Sequence, residues 1–235
     1  MWSGYLKDWS ETILYEDKEI IVCHKKAGIA VQNARIGSMD MESMLKNYLA
    51  MKNPGKNPYL GIVHRLDQPV EGVLVFAKTK KAAAELSRQI AKGQMNKYYL
   101  AVSDKKAAVP EGVLEDYLKR DGKTNTSKVA DVHTADAKKA RLSYKLVQEL
   151  SEDRYLYMIL LYTGRHHHIR VQMAHGNMPL TGDRKYNPDS VASKGISLGL
   201  CAYRLEFVHP VTKKKMQFET KPQGNAFEGV DLTVV

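Results

Sequence analysis

Cysteine is nearly missing from this chain: Cys23 and Cys201 are the only two among 235 residues. Two thiols exclude a disulfide framework and a four-cysteine zinc site. No apolar run approaches the roughly 18 residues that a membrane-spanning helix needs. The first residues, MWSGYLKDWSETILYEDKE, carry charge too early for a secretory apolar core. There is no internal repeat and no low-complexity linker. These absences point to a cytoplasmic protein. Negative charge is also in the minority, with 26 Asp+Glu against 36 Lys+Arg and a formal net charge of +10. An excess of this sign is the electrostatic footprint of a polyanion binder, most often of nucleic acid. A solvated basic surface that serves only solubility is the plainer alternative. The excess is spread over Lys25-Lys26, Lys78 to Lys81, Lys119-Arg120, Lys138 to Arg141 and Lys213 to Lys215, which suits a folded basic face better than a disordered arm.

What is present is ordinary globular material, 43% hydrophobic and 26% charged. Short β-like runs are expected at 13–15 and 19–23, separated by the turn-prone Glu16-Asp17-Lys18. Ser38 is placed to cap a helix running to about Lys52, with Met41, Met44, Leu45 and Leu49 at helical spacing and Asn53-Pro54-Gly55 to stop it. A buried strand is expected over 72–77. Thr79 then caps a helix to about Lys92, with Gly93 beyond its end. Further strands are expected over 98–102, 140–146, 155–162 and 198–208, and one short helix over 166–175. The stretch from Asp121 to Asp136 is polar and reads as a loop or a loosely paired hairpin. Strands with interspersed helices and no regular βα alternation predict an α+β fold around a mixed, largely antiparallel central sheet flanked by a few helices. One domain over 1–235 is expected.

Three segments could carry chemistry. His64-Arg-Leu-Asp67-Gln-Pro-Val-Glu-Gly72 leads directly into the buried strand. A carboxylate there, beside Arg65 and His64, is kept ionised, as a nucleophile needs to be; from the chemistry alone, a turn Asp that caps local N–H groups is the favoured reading. In Tyr162-Thr-Gly-Arg165-His-His-His-Ile-Arg170, successive imidazoles point about 100° apart along a helix, so the three do not converge on one metal ion. Gly164 would free the backbone, and Arg165 with the helix N-terminus would offer N–H groups and charge to a phosphate. In Lys97-Tyr98-Tyr99-Leu100-Ala101 the two rings point to opposite faces of a strand, one toward the core and one toward a site.

Taken together, these segments resemble the RluA-type RNA pseudouridine synthases. His64-Arg-Leu-Asp67 followed by Gly72-Val-Leu-Val-Phe-Ala-Lys78 is similar to the HRLD-x-x-x-x-G-L-L-L-F-A-K signature. Lys97-Tyr-Tyr99-Leu-Ala101 is similar to the K-x-Y-x-A strand. Gly164-Arg-His-His167-His-Ile-Arg170, continuing to Gly176-Asn-Met-Pro179-Leu-Thr-Gly182-Asp183, resembles G-R-x-H-Q-I-R…G-x-P-I-x-G-D. Ala202-Tyr-Arg-Leu205 with Phe207-Val-His-Pro210 resembles the closing strand, and Tyr15 to Val22 with Lys26-Ala-Gly28 the opening hairpin. The likeness runs in order from about residue 12 to 222, and the roughly eleven residues before it leave no room for the N-terminal RNA-binding domain that many relatives carry. Val70 and Glu71 stand where the family usually has Thr-Ser, His168 replaces a Gln, and Lys26 replaces a Pro.

The resemblance implies isomerisation of a specific uridine in tRNA or rRNA to pseudouridine, with no cofactor, no metal, no membrane and no obligate protein partner. By the same likeness Asp67 is the catalytic aspartate, Arg170 the basic residue that pairs with it, and Tyr99 the tyrosine packed on the uracil. Arg65 is tied to extrusion of the nucleotide, and His64, Arg165 and His167 complete the substrate-binding set. Two other readings stand beside it: a non-catalytic RNA-binding or assembly protein on the same fold, and a metal-dependent hydrolase built on His166 to His168.

Overall fold

The computed structural model describes residues 11–33, 39–55, 57–150, 153–192 and 195–235. In chain order the elements are β1 (Ile13–Glu16), β2 (Ile20–Lys25), α1 (Met41–Lys52), β3 (Gly61–Ile62), β4 (Glu71–Ala77), α2 (Lys80–Ala91), β5 (Asn96–Ser103), β6 (Glu111–Asp121), β7 (Thr126–Ala130), β8 (Lys138–Glu149), β9 (Tyr155–Leu161), α3 (His168–His175), β10 (Leu200–Val208) and β11 (Lys215–Glu219). The class is α+β with a mixed, mostly antiparallel sheet, as expected. Among the described residues no helix is long and apolar enough to cross a membrane.

Two compact units emerge, Met1–Met95 with Ala202–Lys221, and Asn96–Cys201 with Pro222–Val235. In the first, strands follow the order β1-β2-β4-β10, with β3 beside β4 and β11 beside β10. The turn between β1 and β2 is made by Asp17, whose Oδ1 accepts the N–H groups of Glu19 and Ile20 at 2.8 Å each. All seven residues of β4 are buried, because this strand runs with neighbours on both edges and covered faces. Its Val73 and Val75 pack with Ile20, Val22, Leu86, Leu205 and Phe207; each such side chain contributes about 1.5–3 kcal/mol by leaving water. Gly72 sits at φ +132°, where a Cβ would lie 2.4 Å from the Ala202 carbonyl oxygen, so only glycine lets β4 begin there.

Both long helices of this unit begin on a side-chain cap. Thr79 accepts the N–H of Ala82 at 3.1 Å, as its position predicts. For α1 the cap is Asp40, whose Oδ1 accepts from the Ser43 N–H at 2.8 Å. The expected cap, Ser38, lies outside the described residues.

In the second unit the order is β5-β9-β8-β6-β7 and every pair is antiparallel. The polar stretch after Asp121 is a well-paired hairpin rather than a loop over its first half: Asp121 opposes Thr126 and the ladder continues to Tyr117 opposite Ala130. Beyond Ala130 the chain turns through Asp131 to Asp136 before β8. The short helix starts at His168 rather than His166, because His167 adopts the left-handed conformation, φ +53°, and so ends the preceding turn. Gly164, by contrast, is not at positive φ and a Cβ there would meet only ordinary contacts, so this glycine is not needed for backbone freedom.

Candidate active-site residues

In the first unit, Asp67 opens a turn closed by the Val70 N–H on the Asp67 carbonyl at 3.0 Å. That turn is held from outside. The carbonyl of Gln68 accepts the Gly28 N–H at 2.9 Å and the Lys25 ammonium at 3.0 Å, while the Gln68 side-chain amide donates to the Gly28 carbonyl at 3.0 Å. Lys25 is fully buried, and its Nζ donates to three carbonyls, those of Lys26, Ile29 and Gln68. Burial pulls its pKa down to about 8, with Asp67 and Glu71 acting in the opposite direction. Lys25 therefore belongs to the support of the Asp67 turn and not to a basic surface, where its place in the charge pattern had put it. In the sequence it stands beside Lys26 and carries no sign of its burial.

His64 is anchored to the sheet: its Nε2 accepts the Val75 N–H at 3.2 Å. Arg65 is exposed beside it. Glu71 is buried, 3.9 Å from the Nε2 of buried His24. Burial lowers the His24 pKa, against the pull of Glu71.

In the second unit, Tyr99 is buried on β5 and Tyr98 is half-buried on the opposite face. Lys97, at the same end of β5, has its pKa lowered by burial. The segment from Tyr162 to Arg165 is tied to β8: Arg141 donates its N–H to Thr163 Oγ1 at 2.9 Å, and Arg165 Nε donates to the Lys139 carbonyl at 2.8 Å. The three imidazoles that follow go to three separate partners. His166 Nδ1 meets Ser127 Oγ at 2.9 Å, His167 Nδ1 meets Tyr186 Oη at 2.6 Å, and His168 lies between the Thr163 carbonyl and Gln172. Burial takes His167 down to about 3 and His168 down to about 4, so both are neutral near pH 7.

Arg170 is buried and gripped by Asp183 through two parallel hydrogen bonds, Nε to Oδ2 at 2.8 Å and Nη2 to Oδ1 at 2.7 Å. Two-point pairing of this kind fixes the plane of a guanidinium as well as its charge. Asp183 also accepts the N–H groups of Lys185 and Tyr186, and the Tyr186 ring lies under the guanidinium, 5.1 Å from Cζ. Lys25, Asp183 and Tyr186 were not among the expected site residues. Asp183 stood in the G-x-P-I-x-G-D segment without a role assigned to it.

The family model for RNA pseudouridylate synthase matches residues 19–175, which contain the Asp67 turn, Tyr99 and Arg170. The chain belongs to this family. It is 36% identical over 220 residues to the ribosomal large subunit pseudouridine synthase D of Neisseria meningitidis serogroup B, covering 88% of this chain and 57% of that protein. It is 31% identical over 212 residues to the uncharacterized RNA pseudouridine synthase YhcT of Bacillus subtilis, covering 89% of this chain and 68% of the relative. The chain thus spans under two thirds of the length of the first of these synthases. In fold it resembles human RNA pseudouridylate synthase domain containing 4, with a TM-score of 0.76 at 21% identity over 93% of this chain and 91% of that one. Asp183 and Tyr186 lie beyond the residues that the family model matches.

Proposed function

We propose that the chain is an RNA pseudouridine synthase that isomerises a uridine in RNA without a cofactor. The observation that carries this reading is the family match over residues 19–175, with the Asp67 turn inside it and held in place by buried Lys25. In the reaction the N-glycosidic bond breaks and the base rejoins the ribose through carbon. That carbon gives up its proton and the released nitrogen takes one, so nothing is gained or lost overall. Asp67 is the nucleophile in this proposal, toward either the uracil ring or the ribose. Tyr99 packs on the uracil and Arg170 supplies the positive charge that keeps a carboxylate ionised. Arg65 helps extrude the nucleotide, and His64, Arg165 and His167 hold the RNA. Extrusion costs a few kcal/mol, which contacts between phosphates and a basic protein offset. The two compact units serve as one catalytic domain in the cytoplasm.

Ribosomal RNA is the favoured substrate class, since several relatives are named for the ribosomal large subunit; tRNA is the other. Asp67→Asn tests the reading. Mass spectrometry of RNA treated with the purified variant is expected to show no new pseudouridine while RNA binding persists. Undiminished product removes Asp67 from its role. RNA from a deletion strain that has lost no pseudouridine points instead to a non-catalytic RNA-binding protein.

A further inference from the structure

Within the second unit, one side chain reaches most of the groups around Arg170. The Tyr186 hydroxyl accepts the Ser127 N–H at 2.8 Å and meets His167 Nδ1 at 2.6 Å. Its ring stands edge-on to His167, with centroids 5.5 Å apart at 82°, and lies against the Arg170 guanidinium on another side. His167 is 7% exposed and held at positive φ, a conformation a β-carbon resists and that persists only where the surroundings enforce it. A neutral imidazole has one N–H and one acceptor, so its partner decides which nitrogen carries the proton. The backbone N–H of Ser127 can only donate, which makes the Tyr186 oxygen an acceptor there and turns the hydroxyl proton toward Nδ1. The opposite arrangement would have the hydroxyl accept twice and send its own proton elsewhere.

We infer that Tyr186 is a positioning residue: it holds His167 in the neutral form protonated on Nε2, and together with Asp183 it fixes the plane of Arg170. The inference rests on the proposed reaction. It also ties the basic hairpin β6–β7 to Arg170, because Ser127 is part of β7. The β7 backbone and the orientation of His167 are thereby linked through one hydroxyl.

The test uses the full chain labelled with 15N-histidine, with the His167 signal assigned by its loss in His167→Gln. Long-range proton–nitrogen spectra are expected to show the Nε2–H form in the wild type and a mixture in Tyr186→Phe. With RNA, Tyr186→Phe is expected to lower kcat by about tenfold, the worth of one buried hydrogen bond, and to leave KM within about twofold. Tyr186→Leu, which also removes the ring from the guanidinium, lowers kcat further. An Nδ1–H wild type overturns the inference, and so does Tyr186→Phe with an unchanged kcat. A wild type that makes no pseudouridine overturns the proposed reaction instead, and the tautomer signal then still decides the assignment of Tyr186.

Discussion

The Asp67 turn and the Arg170 segment are both held in place, but by opposite means. Around Asp67 the support is main chain: a buried lysine donates to three carbonyls, and a glycine N–H closes the set. Around Arg170 the support is side chain on side chain, a two-point ion pair with Asp183 and a tyrosine under the guanidinium. Main-chain support constrains a turn whatever residues occupy it, so it preserves the path of the loop. Side-chain support disappears with a single atom, and it sets the orientation of one functional group. The first region fixes the path of a turn, the second the plane of a cation.

That contrast breaks most sharply at Asp183. Asp183→Ala leaves a buried guanidinium without its bidentate partner and is expected to cost about 3–5 kcal/mol, read as a lowered denaturant midpoint. Lys25→Met removes the main-chain support and is expected to cost about 2–4 kcal/mol at pH 7 through carbonyls left short of donors. Its effect also depends on pH in a stated direction. Between pH 8 and 10.5 the unfolded chain retains a proton on Lys25 that the folded chain gives up, so wild-type stability rises relative to Lys25→Met across that window. A difference between the two that stays flat from pH 8 to 10.5 would show that the folded chain keeps the Lys25 proton as long as the unfolded chain does, and that burial does not lower its pKa.

A smaller effect is expected in the second region at acid pH. His168 is neutral in the folded chain down to about pH 4 but takes a proton below 6.5 once unfolded, so its contribution is full above 6.5 and declines as the pH falls. Near pH 5 the loss is about 2 kcal/mol, and His168→Gln, which installs the residue usual in the family, should flatten it in thermal melts at pH 5 and 7. The smallest change is expected on the hairpin. Replacing exposed Lys123 and Lys128 by Gln should reduce the slope of log affinity against log salt by up to about one unit for each phosphate no longer neutralised. A slope equal to that of the wild type assigns these residues to solvent.

Much of the fold was legible because its strands and helices carry local signals. Thr79 with Gly93 marked α2, and the apolar run from Val73 to Ala77 marked β4. Of the hairpin of β6 and β7 only a loosely paired stretch over 121–136 was legible, and strand β6 itself was not. Val113, Leu114 and Leu118 sit among Glu115, Asp116 and Lys119 in a spacing without clean alternation, since residues on both faces of β6 remain partly exposed. The Asp67 turn and the Arg170 segment were found through their likeness to family motifs. What surrounds them was not, because a buried lysine looks like surface charge in one dimension, and Asp183 and Tyr186 meet Arg170 only through the turn after α3. The left-handed His167 is likewise a product of packing, with no glycine or asparagine to announce it.

The burial of Lys25 makes it a reporter. An amine-reactive reagent modifies the solvent-facing lysines at once, whereas the Lys25 nitrogen is reached only when the loop between its three carbonyls comes apart. Peptide mapping of the label at that one position over time therefore reads the opening frequency of the Asp67 turn, and repeating it with RNA present tests whether RNA changes that frequency.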